Sequence, residues 1–231
     1  MQDKTNMSRF CDYKIMKAND LIQRSYSNLS AQEQKVVLYL IAKMLAYGAK
    51  TEYYMFSIFD YCKVFGISQS GQIYANIKLA IKKLANNCFL LKLNDNKTMI
   101  LLKWIESLCI NKETGAIKIK LDNRIKPYLL QLQDNFTVYN LCYVVAMKSK
   151  YSLRLYEHFK SYENSGKWEV EIEELKRILC AKNYSRFPDF KRNVIDVAVL
   201  ETNKFGDICV TYKITKKGKK YSTIIFSINS K

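Results

Sequence analysis

The most informative stretch of the chain is residues 187–220, which read FPDFKRNVIDVAVLETNKFGDICVTYKITKKGKK. Its first part predicts a long helix over about Pro188–Lys204, with the proline at an early position that helices tolerate. The apolar-rich runs Ile208–Ile214 and Ser222–Ile228 then flank a lysine-rich turn, which indicates a hairpin. A long helix therefore leads directly into a basic hairpin.

The elements before this stretch complete a pattern. Apolar residues at helical spacing predict a helix over Ser149–Glu163, and Lys167–Val170 indicates a strand. A short helix is expected over Glu171–Cys180, because acidic residues occupy its first turn and basic ones follow, as the helix dipole favours. The order is helix, strand, helix, helix and hairpin.

The first half of the chain shows the same order. Ser30 and Glu33 form a capping-box pattern before a helix that closes at Gly48. The elements expected next are a strand over Tyr53–Ile58, a short helix over Asp60–Phe65, a longer helix after Ser70-Gly71, a hairpin of Phe89–Leu93 with Met99–Leu108, and a further strand over Ala116–Leu121. Leu38-Tyr39 matches Leu155-Tyr156 at an offset of 117 residues, and Asn76 matches Asn193 at the same offset. The repeated order predicts a duplication.

This element order is that of the winged-helix variant of helix-turn-helix proteins. The predicted fold is α+β, with two tandem winged-helix domains related by internal duplication. The expected divisions are an N-terminal tail at 1–14, a first winged-helix domain at 15–135 and a second at 136–231.

The charge of the chain points to an anionic partner. The 231 residues include 38 Lys and Arg against 21 Asp and Glu, a formal net charge of +17. Residues 1–135 hold 20 basic and 11 acidic residues, and residues 136–231 hold 18 and 10, so both halves are basic. Such an excess disfavours a compact chain by self-repulsion and is typical of nucleic-acid binding, although a basic, solvated surface is the alternative.

The second helix of a helix-turn-helix pair enters the major groove of DNA, and residues near its N-terminus contact base edges. In the second half, the candidates at this end are Arg186, Asp189, Lys191, Arg192 and Asn193. Arg and Lys pair with guanine, Asn with adenine and Asp with cytosine. A solvated helix face is the alternative for Lys191 and Arg192.

Further candidates surround this helix. Five lysines crowd the second hairpin: Lys213, Lys216, Lys217, Lys219 and Lys220. A hairpin that follows the phosphate backbone needs such a cluster, and a solvated basic turn is the alternative. A basic and aromatic group at the start of the second unit consists of Lys148, Lys150, Tyr151 and Arg154, of which Tyr151 suits the core equally well.

The first half offers weaker candidates, so the second domain is expected to dominate affinity. They lie on its long helix and on the first hairpin, which is expected to be the wing of this domain: Gln72, Tyr74, Asn76, Lys78, Lys82, Lys92 and Lys97.

Other chemistry finds little support in the residues. The single histidine, His158, cannot supply the pair that a metal-dependent nicking enzyme requires, and no phosphate-binding loop is present. The seven cysteines are scattered, without a C-x-x-C pair, which indicates neither zinc nor disulfides. We therefore expect a protein without catalytic activity, metal or cofactor. No apolar run reaches membrane-spanning length, so we expect a cytoplasmic protein without a membrane partner.

Three stretches give the chain a family resemblance. They are Lys17-Ala18-Asn19-Asp20-Leu21-Ile22 with Leu29 and Glu33-Gln34-Lys35, then Ser149 to Glu157, and finally Tyr184 to Asn203 with Asp207-Ile208 and Lys216-Lys217-Gly218-Lys219. Together they resemble the initiator (Rep) proteins of iteron-containing plasmids over about residues 15–229. Thr202 departs from the family, which usually has isoleucine there.

The resemblance implies a role that composition cannot show. Members bind direct repeats in double-stranded DNA at a plasmid origin as monomers, begin duplex opening and recruit host replication proteins, a helicase and an initiator. Many also bind an inverted repeat as homodimers and repress their own gene, with dimerisation through the first winged helix. A winged-helix transcriptional regulator without a replication role is the main alternative, and an RNA-binding module is the third.

Overall fold

The computed structural model describes residues 13–48, 51–95, 97–111, 113–130 and 135–231. The helices are α1 (Asn19–Arg24), α2 (Ala31–Tyr47), α3 (Ile58–Val64), α4 (Gly71–Asn86), α5 (Pro127–Leu130), α6 (Cys142–Val145), α7 (Lys150–Ser161), α8 (Ile172–Ile178), α9 (Phe187–Phe190) and α10 (Val197–Phe205). The strands are β1 (Lys14–Ala18), β2 (Ser25–Tyr26), β3 (Tyr54–Phe56), β4 (Cys88–Lys92), β5 (Met99–Lys103), β6 (Ile105–Ile110), β7 (Ile117–Leu121), β8 (Phe136–Asn140), β9 (Lys167–Glu171), β10 (Ile208–Lys217) and β11 (Lys220–Ser230).

The second unit has the order that its sequence predicts. Helix α7, strand β9 and helix α8 precede a helical segment at 187–205, and the β10–β11 hairpin follows. Strand β11 pairs with both neighbours, so the sheet order is β10-β11-β9. Buried Phe190, Val194 and Ala198 recur at four-residue spacing and turn the helical segment toward the core.

The 187–205 helix is not a uniform α-helix. Between α9 and α10, residues Lys191–Asp196 form a π-helical segment. The sequence predicts one α-helix here because both forms bury nearly the same apolar positions. The difference matters because three of the candidate base-contacting residues lie inside the π segment.

The first unit begins with the predicted helix. The Ser30 hydroxyl accepts from the Glu33 backbone N–H, and the Glu33 carboxylate accepts from the Ser30 N–H, which completes the capping box at α2. Helix α3 and helix α4 follow as expected. The predicted strand Met99–Leu108 is divided at Trp104, which is buried and stacks on Phe89 with ring centroids 5.1 Å apart. The chain leaves one sheet at this residue and enters another.

The two sheets of the first unit change the assignment of its wing. Strand β3 pairs with β7 in a sheet of order β3-β7-β6, just as β9 pairs with β11 in the second unit. The hairpin that corresponds to β10–β11 is therefore β6–β7. The β4–β5 hairpin, with Lys92 and Lys97, is an addition that pairs with β2. The interpretation of this earlier hairpin as the first wing is wrong, because the wing is the hairpin that joins β3.

The units are joined by pairing across the expected boundary. Strand β1 pairs antiparallel with β8 along all five residues. A division between residues 135 and 136 therefore places β1 and β8, which pair with each other, in different domains. Lys14, placed in the expected tail, belongs to β1, while residues 1–12 lie outside the described ranges.

One hydrophobic core extends through both units. Tyr39 on α2 and Tyr156 on α7, which the sequence relates by the offset of 117, are both buried. Each makes an edge-to-face contact, Tyr39 with Phe56 and Tyr156 with Tyr139. Equivalent residues thus have equivalent places in the two units.

Candidate nucleic-acid interface

The N-terminal end of the 187–205 helix presents arginines around one carboxylate. Arg186 stands at the N-cap of α9, and its side chain is 77% exposed, while that of Arg192 is 74% exposed. Asp189 lies between them, with its carboxylate oxygens 3.8 Å from Arg186 Nε and 3.4 Å from Arg192 Nη2. Asn193 is exposed next to Arg192. Arg186, Arg192 and Asn193 are thus exposed at this helix end, and Asp189 pairs with both arginines.

Lys191 lies in a different environment. Its ammonium donates to both carboxylate oxygens of Asp196, at 2.9 and 3.0 Å, and lies 5.7 Å from the ring centroid of Tyr212 on β10. Hydrogen bonding with Tyr212 and Asp196 raises the pKa of Lys191 to about 12. The lysine is therefore held by the protein itself.

The second hairpin extends beyond the sheet that anchors it. Strand β9 pairs with β11 at residues 223–227 only, whereas β10 and β11 remain paired to Lys217 and Lys220 at the tip. Gly218 closes the turn with φ +64°, a left-handed conformation that glycine adopts at little cost. The five predicted lysines are all exposed. Within the described residues, none of the five pairs with a carboxylate.

Aromatic contacts hold this hairpin beside the helix. Phe187, the first residue of α9, stacks on Tyr221 of β11 with ring centroids 4.3 Å apart. The ammonium of Lys216 lies 4.7 Å from the Tyr221 ring centroid. The lysine-rich hairpin and the arginine-rich helix end thus form one continuous basic surface. Sequence reasoning missed Tyr221 and Tyr212, since an aromatic residue in a strand has no signature beyond strand propensity.

Two candidates at the start of α7 are corrected by the structure. The Arg154 side chain is only 13% exposed, and its Nη2 donates to the Ile22 carbonyl at 2.8 Å and to the Ser25 carbonyl at 2.7 Å. Tyr151 is 9% exposed and contacts the ring of Tyr184. Both side chains are packed inside the protein, so the prediction that they contact DNA is wrong.

The neighbouring lysines differ from each other. Lys148 is exposed, whereas the ammonium of Lys150 donates to the Asn28 side chain at 3.0 Å and lies over the Tyr151 ring. Lys148 is the more available cation of the two.

Arg154 belongs to a buried polar joint between the units. Lys17 on β1 contacts Glu157 on α7 with Nζ 2.5 Å from Oε1, and both side chains are 7% exposed. Tyr139 donates to the same oxygen at 2.7 Å, and Arg154 Nη1 lies 4.0 Å from the other. Burial lowers the pKa of Lys17, although Glu157 opposes that shift, and burial also raises the pKa of Tyr139. Two stretches of the family resemblance meet here.

The first unit has a less concentrated basic surface. Gln72 donates to Asn76 at 2.9 Å on the exposed side of α4, and the Lys78 ammonium lies 5.2 Å from the ring centroid of Tyr74. Lys82 is exposed on the same helix, Lys97 is exposed beyond the tip of β4, and Lys92 is half-buried at the end of β4. These candidates are divided between helix α4 and the β4–β5 hairpin.

Comparison with known proteins identifies the family. The family model described as "Initiator Replication protein, WH1" matches residues 14–160, and the one described as "Initiator Rep protein, WH2" matches residues 171–228. The chain belongs to the initiator replication protein family. The predicted resemblance and the two winged-helix domains are thereby confirmed.

The relatives of this initiator family member include proteins of Escherichia coli. A "PI protein" is 27% identical over 144 residues, which cover 54% of this chain and 47% of that protein. A "Replication initiation protein" is 23% identical over 224 residues, which cover 93% of this chain and 69% of the relative. The match to the PI protein thus spans less than half of its length.

Solved structures support the fold. The crystal structure of Pi initiator protein in complex with iteron DNA superposes with a TM-score of 0.74 at 23% identity and covers 96% of this chain and 98% of that one. A structure of RctB domains 2-3 gives a TM-score of 0.52 at 14% identity. Both share the overall fold of this chain.

Among the described residues, no group of three or more His, Cys, Asp or Glu side chains is placed to hold a metal ion. In the same ranges, no helix has the length and apolar character that crossing a bilayer requires.

Proposed function

We propose that this protein binds direct repeats in duplex DNA at a plasmid replication origin and thereby initiates replication of the plasmid. The contact between Phe187 and Tyr221 is the observation that carries the proposal. It holds the lysine-rich hairpin beside the helix end that presents Arg186, Arg192 and Asn193. Phosphate contacts from the hairpin and base contacts from the helix are thus available to one stretch of duplex.

The family supports the step from binding to initiation. The chain belongs to the initiator replication proteins, and the Pi structure of similar fold contains iteron DNA. After binding the repeats as a monomer, the protein begins duplex opening and recruits the host helicase and initiator. It acts through binding and without catalysis of its own, in the cytoplasm of a bacterial host.

The contacts are assigned by position. Bases are read by Arg186, Asp189, Arg192 and Asn193. Phosphates are contacted by Lys213, Lys216, Lys217, Lys219, Lys220 and Lys148. Gln72, Tyr74, Asn76, Lys78 and Lys82 on α4, with Lys92, Lys97 and Lys150, provide secondary contacts.

The first unit also suits association with a second copy. Strand β5 is an edge of its sheet, and its outward residues Met99 and Leu101 are 46% and 56% exposed beside Leu90 of β4, which is 39% exposed. An apolar sheet edge of this kind pairs readily with another strand. A homodimer formed here would bind an inverted repeat and repress the protein's own gene, in equilibrium with the monomer that binds direct repeats.

Selection from a random library of duplexes tests the binding. Wild-type protein should enrich one defined sequence over several rounds, and the Arg192→Ala variant should lose the preference at one base position while it still binds DNA. If the duplexes bound by the wild type show no enriched sequence after these rounds, sequence-specific binding is refuted.

A plasmid maintenance assay separates an initiator from a regulator. A plasmid whose only origin is the gene with its flanking DNA should be maintained in a bacterial host, and deletion of the repeats that match the selected sequence should abolish maintenance. If the protein binds those repeats but the plasmid is lost, the protein is a regulator without a replication role.

A further inference from the structure

We propose that Asp196 and Tyr212 are positioning residues for DNA reading, which hold Lys191 and set the direction of the base-contacting side chains in the same helical turn. Together with Lys191 they form what we call the helix–wing cluster. The inference rests on the proposed function, because it concerns how the 187–205 helix reads duplex DNA. It also changes the role of Lys191, which becomes a structural support of the helix instead of a base contact.

The π segment is what makes the cluster possible. Lys191 and Asp196 are five residues apart, and in an α-helix such residues point about 140° away from each other. The i→i+5 bonding of a π segment brings residues five apart onto nearly the same face. The Lys191 ammonium accordingly lies 2.9 Å from an Asp196 oxygen, at the two ends of the segment Lys191–Asp196.

The cluster also ties the helix to the wing. Tyr212 on β10 donates a short hydrogen bond to Asp196, and its ring lies beneath the Lys191 ammonium. The Tyr212 ring also packs on the buried ring of Phe226, with ring centroids 6.0 Å apart. The helical segment is thus fixed to a strand whose far end holds Lys216 and Lys217.

Charge agrees with this geometry. Burial alone would raise the pKa of the Asp196 carboxyl, but the hydrogen bonds from Tyr212 and Lys191 outweigh it and lower that pKa. The carboxylate therefore stays ionised and keeps both of its donors. The Lys191 ammonium contacts both oxygens of this carboxylate.

The base-contacting residues lie between the two ends of the cluster. Arg192 and Asn193 are the second and third residues of the π segment, and both are exposed. A return to α-helical geometry would turn them relative to the α10 part of the helix, which packs against α7. Loss of the cluster should therefore misdirect these two side chains without removing any contact to phosphate.

Helix α4 of the first unit provides an internal contrast. At the related positions, its side-chain pairs have the i,i+4 spacing of an α-helix: Gln72 donates to Asn76, and Lys78 lies over Tyr74. The position related to Asp196 by the offset of 117 is Leu79, which is 51% exposed. The π segment and its acidic partner thus occur together in the second unit.

Tyr212→Phe and Asp196→Asn test the proposal, because both keep the size of the side chain. The selected duplex and a set of single-base variants would be titrated at several salt concentrations. We expect each variant to lower the discrimination between matched and mismatched duplexes about tenfold, the scale of one hydrogen bond to a charged group. The loss should fall on the base positions that Arg192 and Asn193 read, and the slope of log affinity against log salt should stay unchanged.

Lys191→Met is the matched control, since it keeps the apolar stem and removes the charge. A positioning role predicts the same loss as Tyr212→Phe, no further loss when the two are combined, and an unchanged salt slope. A role for Lys191 in direct contact predicts instead a slope flatter by about 0.9, or a loss at one base that Tyr212→Phe retains, and either result would overturn the proposal.

Two further outcomes separate this inference from the proposed function. If wild-type protein discriminates between duplexes and both Tyr212→Phe and Asp196→Asn discriminate equally well, this inference alone is wrong. If wild-type protein shows no preference among duplexes, the proposed function fails. Thermal unfolding of Tyr212→Phe, which keeps the ring and its packing, should show one cooperative transition lowered by only a few degrees, the loss of one hydrogen bond. The variant is then folded at the temperature of the binding experiment, and any loss of discrimination is not a loss of fold.

Discussion

The two units share a topology and differ in where their charge lies. In the second unit, hairpin strands of ten and eleven residues carry five exposed lysines next to a helix end with two exposed arginines. In the first unit, the corresponding β6–β7 hairpin has strands of six and five residues, and an added β4–β5 hairpin presents apolar side chains. Under the proposed function, the second unit makes the main DNA contacts, whereas the first unit offers an exposed apolar sheet edge and secondary contacts.

The difference teaches that element order alone does not assign a role to a winged helix. The contact surface is decided by the length of the hairpin, the charge at its tip and the residues that hold it against the helix. Each of these features can be removed by substitution. The resulting change in DNA binding or stability shows how much that feature contributes to the difference between the two units.

Removal of the charge on the second wing should have the largest effect. The variant with Lys216, Lys217, Lys219 and Lys220 replaced by alanine loses up to four phosphate contacts, so the salt slope should flatten by roughly 3.6 and affinity at 0.15 M salt should fall by about a thousandfold on all sequences. Fluorescence anisotropy with a labelled duplex at four salt concentrations measures both quantities.

The matched control for the wing is Lys92→Ala with Lys97→Ala on the β4–β5 hairpin. This variant should change the slope by less than about 1.8, the value for two phosphate contacts. A greater loss here than in the wing variant would reverse the proposed division of roles.

Disruption of the buried contact between Lys17 and Glu157 should have the second largest effect. Glu157→Gln leaves Lys17 buried with a weaker partner, and removal of one partner of a buried ion pair costs about 3 kcal/mol of unfolding free energy. Urea unfolding followed by circular dichroism measures this change. Because Tyr139 and Arg154 also contact Glu157, a value below about 1 kcal/mol would mean that the two units do not depend on this joint.

Loss of one base contact in each unit should have a smaller effect. Arg192→Ala should cost about 2 kcal/mol of binding free energy on the selected duplex and relax one base position. Asn76→Ala, at the related position of Asn193 in the first unit, should cost less, because its side chain accepts from Gln72. Equal costs in a competition titration would show that both helices read bases.

A lower pH should destabilise the protein through a buried histidine in the core of the second unit. His158 is buried against Trp168, with ring centroids 4.9 Å apart, and neither ring nitrogen has a hydrogen-bond partner among the described residues. Burial, and then Arg154, lower the pKa of His158 well below its usual value. The unfolded chain therefore takes up a proton below about pH 6.5 that the folded chain resists, and stability is lost as pH falls.

The expected size of this effect is about 1.4 kcal/mol per pH unit below about pH 6.5. His158→Phe should remove this slope between pH 6.5 and 5, because the chain has one histidine. Urea midpoints at three pH values give the answer, and an equal slope in both proteins would locate the titrating group elsewhere.

Much of the fold could be predicted from short-range patterns. The capping box at Ser30, the alternation around Ile117 and the lysine-rich turn at Gly218 each depend on neighbours a few residues apart. The order of elements followed from such signals, and with it the winged-helix fold.

The features that could not be predicted from the sequence depend on contacts that short-range patterns do not show. Arginine is a residue type that often contacts DNA, but Ser25, whose carbonyl accepts from the Arg154 guanidinium, lies 129 residues earlier in the chain. The true wing of the first unit is defined by the pairing of β3 with β7, and a hairpin pattern does not state which strand it joins. Lys191 is held by Asp196 at a five-residue spacing that α-helical periodicity does not consider.

The buried joint has a consequence for reading related sequences. Two of the three stretches that carry the family resemblance, around Lys17 and Glu157, meet inside the protein. Under the proposed function, base preference is set around Arg192, so two relatives that look alike in these two stretches can still prefer unrelated repeats. For plasmids that share a cell, similarity in these two stretches is thus a poor guide to whether their initiators compete for the same origin.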